Sequence, residues 1–449
     1  MSIIKGLNIG RNALMTHTES MKIIGQNISN VNVPGNSRQR LELENTFYSG
    51  DDSIQVLTAR RIRDTFIDQR IRSENQALGN WEMQAIFYST IEETFLEPSE
   101  NDLNNTMAEF WNNWEDLANY PENLSARSMI VQSGELLATT LNHIDSQLRD
   151  VRSMADDYIR DRVTQINDMA SRIADINSRI VSIEASGEEA SKIRDSRDML
   201  IQQMSKIVSL KSVENENGQV TLSIGGRAIV DGKEFMPLEI QQHPDDGMLI
   251  SDIVWSNDKS DVKIKGGEIE GLKIIRDEAI PDILTNLDRL ASDIIGAVND
   301  IHKTGFGLDG STGLSFFTGI SASDIGVNSE IADDVNKVAA SGSSEAGDNT
   351  IALAIAELAD KKIAPGETDI GTFYSNIINT VGNQSRNASI MQDNSSMFVK
   401  YMEEQRESVS GVSLDEEMAN MIESQRAYES AAKYISVLDE LIGVLMDMA

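Results

Sequence analysis

The side chains best suited to catalysis or metal binding are few and scattered in this sequence. His17, His143, His243 and His302 are its only histidines. None has the paired spacing of a metal-binding helix such as HExxH, so each reads as an ordinary surface or core residue. Cysteine is absent, which removes disulfides, thiol nucleophiles and thiolate metal ligands together. It also leaves the chain without cross-links that would obstruct threading through a narrow channel. Carboxylates are abundant, so close pairs arise by chance, and nothing orders any one pair as acid and base. Asn299, Asp300 and Asp309 flank the run Gly305-Phe306-Gly307-Leu308-Asp309-Gly310. The D-x-[DN]-x-[DN]-G periodicity of a calcium loop is missing there, so a tight turn after a helix is predicted. The sequence holds no GxSxG, no GxxxxGK[ST] and no dinucleotide fingerprint. The expectation is a protein that is not an enzyme, with no catalytic residue, no metal and no cofactor.

Charge narrows the partners. Against 39 basic side chains stand 72 acidic ones, a formal net charge of −33 spread along all 449 residues. A surface this negative repels phosphate, which argues against nucleic acid or an anionic membrane as partner. Asn8, Gly10, Arg11 and Asn12 interrupt the first apolar stretch before a signal-peptide core can form. No run approaches the roughly 18 apolar residues of a spanning helix. Any exit from the cell is expected to use a route without a cleaved peptide.

The elements that would have to position functional groups are mostly helices. Near the start, Ile3, Leu7, Gly10, Leu14, His17, Met21, Ile24 and Ile28 follow steps of four and three. This is coiled-coil spacing, with Gly10 and His17 as weak points. Near the end, Met421, Tyr428, Ala431, Ile435, Leu438, Ile442 and Leu445 draw a similar stripe behind a capping box of Ser413 and Glu416. The two ends are expected to pair with each other and with copies of themselves. Between them, one helix runs from Ile67 to near Pro98, and others cover 101–119 and 122 to about 148. A stripe from Ile159 to Ile183 ends at Gly187. Further helices begin at Pro281 and near Tyr374. From about Val208 to Ile275 the period shifts toward two, and turn pairs recur at Asn217-Gly218, Gly225-Gly226, Asp231-Gly232 and Gly266-Gly267, which predicts a small antiparallel β domain.

One segment carries a family resemblance. Gln26-Asn27-Ile28-Ser29-Asn30-Val31-Asn32-Val33-Pro34-Gly35-Asn36-Ser37-Arg38-Gln39 resembles the signature of flagellar rod, hook and hook-associated proteins. In physical terms the apolar stripe ends, asparagines supply local hydrogen bonds, and Pro34-Gly35 turns the chain. Arg38-Gln39 points to the hook-associated protein 1 family, because hook and rod subunits usually carry Gly-Phe-Lys there. Asn36 departs from the tyrosine common in that family. Arg63 to Asp68, Phe95 to Pro98, Phe110 to Pro121 with Arg127, Arg194 to Leu200, Asn299 to Gly310 and Gly411 to Glu417 resemble further family blocks in matching order.

The resemblance implies a structural subunit of the bacterial flagellum at the hook–filament junction. Its implied partners are copies of itself in a ring, hook subunits, the next hook-associated junction protein, and a cytoplasmic export chaperone on the C-terminal helix. It implies secretion through the flagellar type III apparatus. Another axial protein, such as the hook subunit or the second junction protein, is the nearer alternative; a flagellum-mounted adhesin or enzyme is the more distant one. The expected fold is mainly α. An elongated helical rod (46–207 and 276–404) is built from both halves of the chain, with terminal coiled-coil helices (1–45 and 405–449) and one inserted antiparallel β domain (208–275). The candidate assembly residues are Ile3, Leu7, Leu14, Met21, Ile24 and Ile28 at one end and Met421 to Leu445 at the other. Asn27, Asn30, Asn32, Pro34, Gly35, Arg38 and Gln39 form the signature turn.

Overall fold

A computed structural model describes residues 3–48, 51–95, 102–185, 189–366 and 368–447. The expected helix ends near Pro98 and at Gly187 lie outside these residues, as do the side chains of Ile3 and Leu445.

Helix α1 (Ile3–Ser29) leads into a two-stranded ribbon, β1 (Gln39–Tyr48) and β2 (Asp51–Arg61), paired antiparallel from Gln39↔Arg61 to Tyr48↔Asp51. A purely helical reading of this stretch misses the ribbon. The alternation Leu41-Glu42-Leu43-Glu44 and Ile54-Gln55-Val56 is the period-two pattern behind it. Helices α2 (Thr65–Phe95), α3 (Leu103–Asn119), α4 (Leu124–Glu184) and α5 (Ser191–Ile207) follow. The two separate stripes expected within 122–183 are one helix. No Gly or Pro lies between Leu148 and Ile159, so 61 residues run unbroken, about 90 Å at 1.5 Å per residue.

Strands β3 (Lys211–Glu214), β4 (Val220–Ile224), β5 (Arg227–Asp231) and β6 (Glu234–Phe235) form one sheet in that order. Strands β7 (Leu238–Asp245) and β8 (Met248–Trp255) form a separate hairpin. Gly266-Gly267 is not a hairpin turn: it opens helix α6 (Glu268–Lys273), so helix resumes inside the span read as β. A π turn over Ile274–Ala279 carries α6 into α7 (Ile280–His302). The expected start at Pro281 is therefore an interior position. Proline lacks the N–H for a helical bond, and it sits where the widened turn, with Ile280 N–H donating to Ile275 O, already interrupts the regular ladder. After short strands β9 (Phe317–Thr318) and β10 (Gly326–Val327) and helices α8 (Ser329–Asp333) and α9 (Thr350–Ala356), two long helices close the chain. These are α10 (Ile370–Ser410), packed along α2, and α11 (Leu414–Asp447), packed along α1.

The β segment is bolted to α4 by buried polar groups. Asn177 of α4 donates to Val220 O and Gly232 O, both at 2.8 Å. Asp156 accepts from Ser251 N and Oγ at 2.8 Å and from Arg276 Nη1 at 2.6 Å, with Asp156 and Arg276 both buried. One continuous apolar cluster joins α2 to α10 with these strands; among the described residues it includes none of α1 or α11. At its α3 end His302 is wrapped by Trp114 and Phe316, accepts the Ala339 N–H at Nε2 and bonds Leu314 O through Nδ1. It is a core residue. Asn299 pins the following turn, exchanging hydrogen bonds with Phe317, while Asp309 accepts from Ser311 N within the loop.

Burial pushes the His302 imidazole down to about 4. Between pH 6.5 and 4 the unfolded chain therefore binds a proton that the native chain refuses, and stability falls as pH drops through that window. At 1.36 kcal/mol per unit the loss reaches about 3 kcal/mol near pH 4. Urea denaturation at pH 7 and pH 4.5 should show it, and in His302→Gln this component of the pH slope should vanish.

Candidate functional site

Helices α1 and α11 come from opposite ends of the sequence and lie antiparallel. Gly6 faces Leu438, Gly10 faces Ile435, Ser20 Oγ lies 3.1 Å from Ser424 Oγ, and Asn27 Nδ2 donates to Glu417 Oε2 at 2.9 Å. Of the α1 stripe, Ile24 is buried while Leu7, Leu14, Met21 and Ile28 are half-buried against α11 or the base of the coil. On α11, Ala431 is buried and Met421, Ile435, Leu438 and Ile442 are half-buried. Tyr428 is a correction: it holds a seam position by spacing but is 37% exposed, while the smaller Ala427 beside it is half-buried. Gly10 is not a weak point. A Cβ there would lie 2.5 Å from Ile435 Cγ1, so glycine is what lets the two helices approach.

At the base of the coil the signature turn is tied on every side. Asn27 bridges three segments: its amide donates to Gln39 O at 3.0 Å and to Glu417, and its oxygen accepts Gln39 N–H at 3.0 Å. Arg38 donates to Glu417 Oε1 at 2.9 Å and to Glu416 Oε2 at 3.0 Å, and its backbone N–H reaches Ser410 O at 3.0 Å. Gly35, at φ +78°, packs its bare Cα on Met199; a Cβ would lie 2.6 Å from that methyl. Asn30 helps form the local turn, accepting Val33 N–H at 2.9 Å, whereas Asn32 and Pro34 face solvent.

The other half of this knot is α5. Asp195 accepts Ser37 N–H at 3.1 Å, Ser37 Oγ at 2.8 Å and Arg61 at 2.9 Å. Asp198 takes Arg61 at 2.9 Å and also Arg63, which in turn pairs with Asp68 at 2.8 Å. Arg197 points the opposite way, donating to Gly218 O at 2.6 Å in the β3–β4 turn. Burial opposes the charge on Asp198, yet Arg63, Arg197 and Arg61 hold its carboxyl below the usual carboxylate range. Three blocks distant in sequence, 26–39, 61–68 and 194–200, thus meet at one point.

Glu417, Ser37, Ser20 and Ser424 are interface residues that the apolar stripes do not reveal. Stepping the α11 heptad back four positions from Met421 lands on Glu417, and a polar residue at a seam position is a register signal. Chemically the knot is saturated: its carboxylates are engaged by arginines and backbone donors. Among the described residues no cluster of three or more His, Asp or Glu is placed to hold a metal, and no helix is long and apolar enough to cross a membrane.

Comparison with known proteins agrees along the whole chain. Residues 88–317 match the family described as flagellar hook-associated protein FlgK helical domain, and residues 404–448 match flagellar basal body rod FlgEFG protein C-terminal. Flagellar hook-associated protein 1 of Bacillus subtilis is 28% identical, over 98% of this chain and 97% of its own. The protein of that name from Salmonella typhimurium is 21% identical over 99% and 98%. The solved flagellar hook junction protein FlgK from Burkholderia pseudomallei superposes with a TM-score of 0.67 at 14% identity, covering 76% of this chain and all of that one, a likeness of fold.

Asp195→Ala would strip the turn of its main acceptor. Leaving buried donors unsatisfied costs about 1–3 kcal/mol, so amide exchange at Ser37 to Gln39 should accelerate about tenfold or more while helical content is kept. Acid should act in the same direction. The stabilisation from Asp198 is in place above the ordinary carboxylate pKa and is lost as pH falls through its lowered value.

Proposed function

The chain belongs to the flagellar hook-associated protein FlgK family, and we propose that it is a non-enzymatic structural subunit of the hook–filament junction that assembles through its terminal helices. The observation that carries this reading is the placement of α1 and α11. They form a coil outside the apolar cluster of the rod and are keyed to it by the knot around Asp195 and Glu417. A coil held apart from the core can exchange or add helical partners without unfolding the rod. The match of residues 404–448 to rod-protein C-termini fits a terminal helix of the kind shared among axial proteins, while the match of 88–317 separates this chain from rod and hook subunits.

In this reading its neighbours are copies of itself in a ring, hook subunits on one side and the next hook-associated protein on the other. The chain reaches the flagellum through type III export. A cytoplasmic chaperone would hold α11 beforehand and mask the apolar side chains that the coil later buries. In this reading the coil of α1 and α11 makes the contacts, the long helices form the rod, and the strands from β3 to β8 are carried on α4.

Leu438→Asp tests the reading. Leu438 packs on Gly6 at the far end of the coil from the knot. Burying a leucine contributes roughly 1.5–3 kcal/mol, and a buried unpaired carboxylate costs several more. The variant should be exported and keep the rod's melting temperature, because the coil contributes nothing to the rod's apolar cluster. Cells carrying it should bear hooks and shed filament protein into the medium. Normal filaments and motility with this variant would refute assembly through the coil.

A further inference from the structure

Among the described residues, four asparagines on helices make the same double contact with a strand. Asn27 of α1 donates to Gln39 O and accepts Gln39 N–H, both at 3.0 Å. Asn167 of α4 does this to Leu238, at 2.8 Å each way. Asn177, further along α4, does it to Val220 at 2.8 and 3.1 Å. Asn299 of α7 does it to Phe317, at 2.9 Å each way. Every target is the first residue of its strand: Gln39 of β1, Leu238 of β7, Val220 of β4 and Phe317 of β9. Each of the four sheets among the described residues contains one of these strands. A backbone N–H only donates and a carbonyl only accepts, so the target fixes which way each amide faces. A fifth contact reaches the same end with charge. Asp156 accepts Ser251 N–H on β8 while Arg276, paired with Asp156, donates to Ser251 O, both at 2.8 Å. Leu238 and Ser251 lie on the two strands of one hairpin, so α4 holds that hairpin at two points.

We propose that these amides are register clamps: side chains on helices that select which residue begins each strand and dock each sheet in one position. The N–H and C=O of one residue face the same edge of a strand, and those of the next residue face the other edge. A slip of one residue therefore turns both groups away from the amide, and it moves every side chain to the opposite face. Three of the four sheets are two-stranded, and isolated two-stranded ribbons are marginal in water. Strand β7 is exposed from Gln241 to Asp245, so apolar burial gives its register little support. The clamps also account for the placing of Asn167 and Asn177. Asparagine is a poor helix former because its side chain competes with the backbone, yet both lie in the interior of α4. A helix forms from local contacts, whereas Leu238 is 71 positions from Asn167. In this arrangement α4 is the template and the strands are set upon it. The proposal holds whatever the terminal coil binds.

Aspartate has the shape of asparagine, but a carboxylate cannot donate. Asn167→Asp keeps the packing and loses the bond to Leu238 O, and Asn167→Leu loses both bonds. In the full chain, amide exchange over residues 238–255 should accelerate about tenfold or more in both variants, as expected for an unsatisfied buried backbone group. Residues 220–231, held by Asn177, should keep their wild-type rate. Asn177→Asp should give the converse map. Thr164→Asp, which places the same charge on exposed surface of α4 one turn earlier, should leave both segments unchanged. Wild-type exchange over 238–255 in Asn167→Asp would overturn the proposal, because shape alone would then suffice. Equal acceleration over 220–231 and 238–255 would overturn it too, as the mark of general destabilisation, and so would Thr164→Asp behaving like Asn167→Asp. Asn167 is half-buried whereas Asn177 is fully buried, so the Asn167 variants carry the test if Asn177→Asp does not fold.

Discussion

The pairing of the two terminal helices is fixed at its base by one buried carboxylate. Glu417 is 2% exposed at the first turn of α11, and Asn27 and Arg38 satisfy it from the other end of the sequence. A buried ion pair adds little net stability, but losing one partner is expensive. Its effect is therefore to forbid alternatives: sliding α1 along α11 by one turn would strand Glu417 without Asn27. Few of the seam's apolar residues are fully buried, so packing alone specifies register weakly, and the polar layer at the base does it instead.

The knot also explains how a coil with so little core of its own keeps a fixed relation to the rod. Asp195 and Asp198 sit on α5, which packs against α2 and α4. Through Ser37, Arg61 and Arg63 they grip the turn and the ribbon at once. Arg197, between them, anchors the same helix to the β sheet. One short helix thus couples coil, rod and β segment, and the rod's rigidity passes to the coil through charge-assisted hydrogen bonds, which are directional where apolar contacts are not.

How much of this was legible in the sequence follows the range of each interaction. Helical stripes and the period-two run are local, and they located α2, α4, α7, α10 and the strands. Whether two stripes are one helix depends on the stretch between them, and in α4 no breaker lies there. The β1–β2 ribbon shows in the alternation Leu41-Glu42-Leu43-Glu44, but two strong helical signals flank it and dominate the local pattern. Residues 26–39 and 194–200 stood out as family blocks, yet nothing local in Asp195 says that its partner is Ser37, 158 positions away. Gly10 reads as a flaw along one helix and as a requirement only once Ile435 lies opposite. Glu417 and Tyr428 fail the other way round: spacing alone ranks the tyrosine as seam and ignores the glutamate, because hydrophobic periodicity has no term for a partnered charge.

The charge distribution joins these levels. Chains of net charge −33 repel one another over most of their surface, which keeps them soluble and opposes random contact. An ordered array then needs a place where that repulsion is reversed. Within the chain it is reversed in the first 40 residues, with five basic side chains against one acidic, and Arg38 among them engages Glu416 and Glu417 of α11. They are also the residues that the knot holds in register with the acidic α11. Repulsion elsewhere and attraction between the two terminal helices favour the same pairing, so its specificity comes as much from the contacts the surface refuses as from those it accepts.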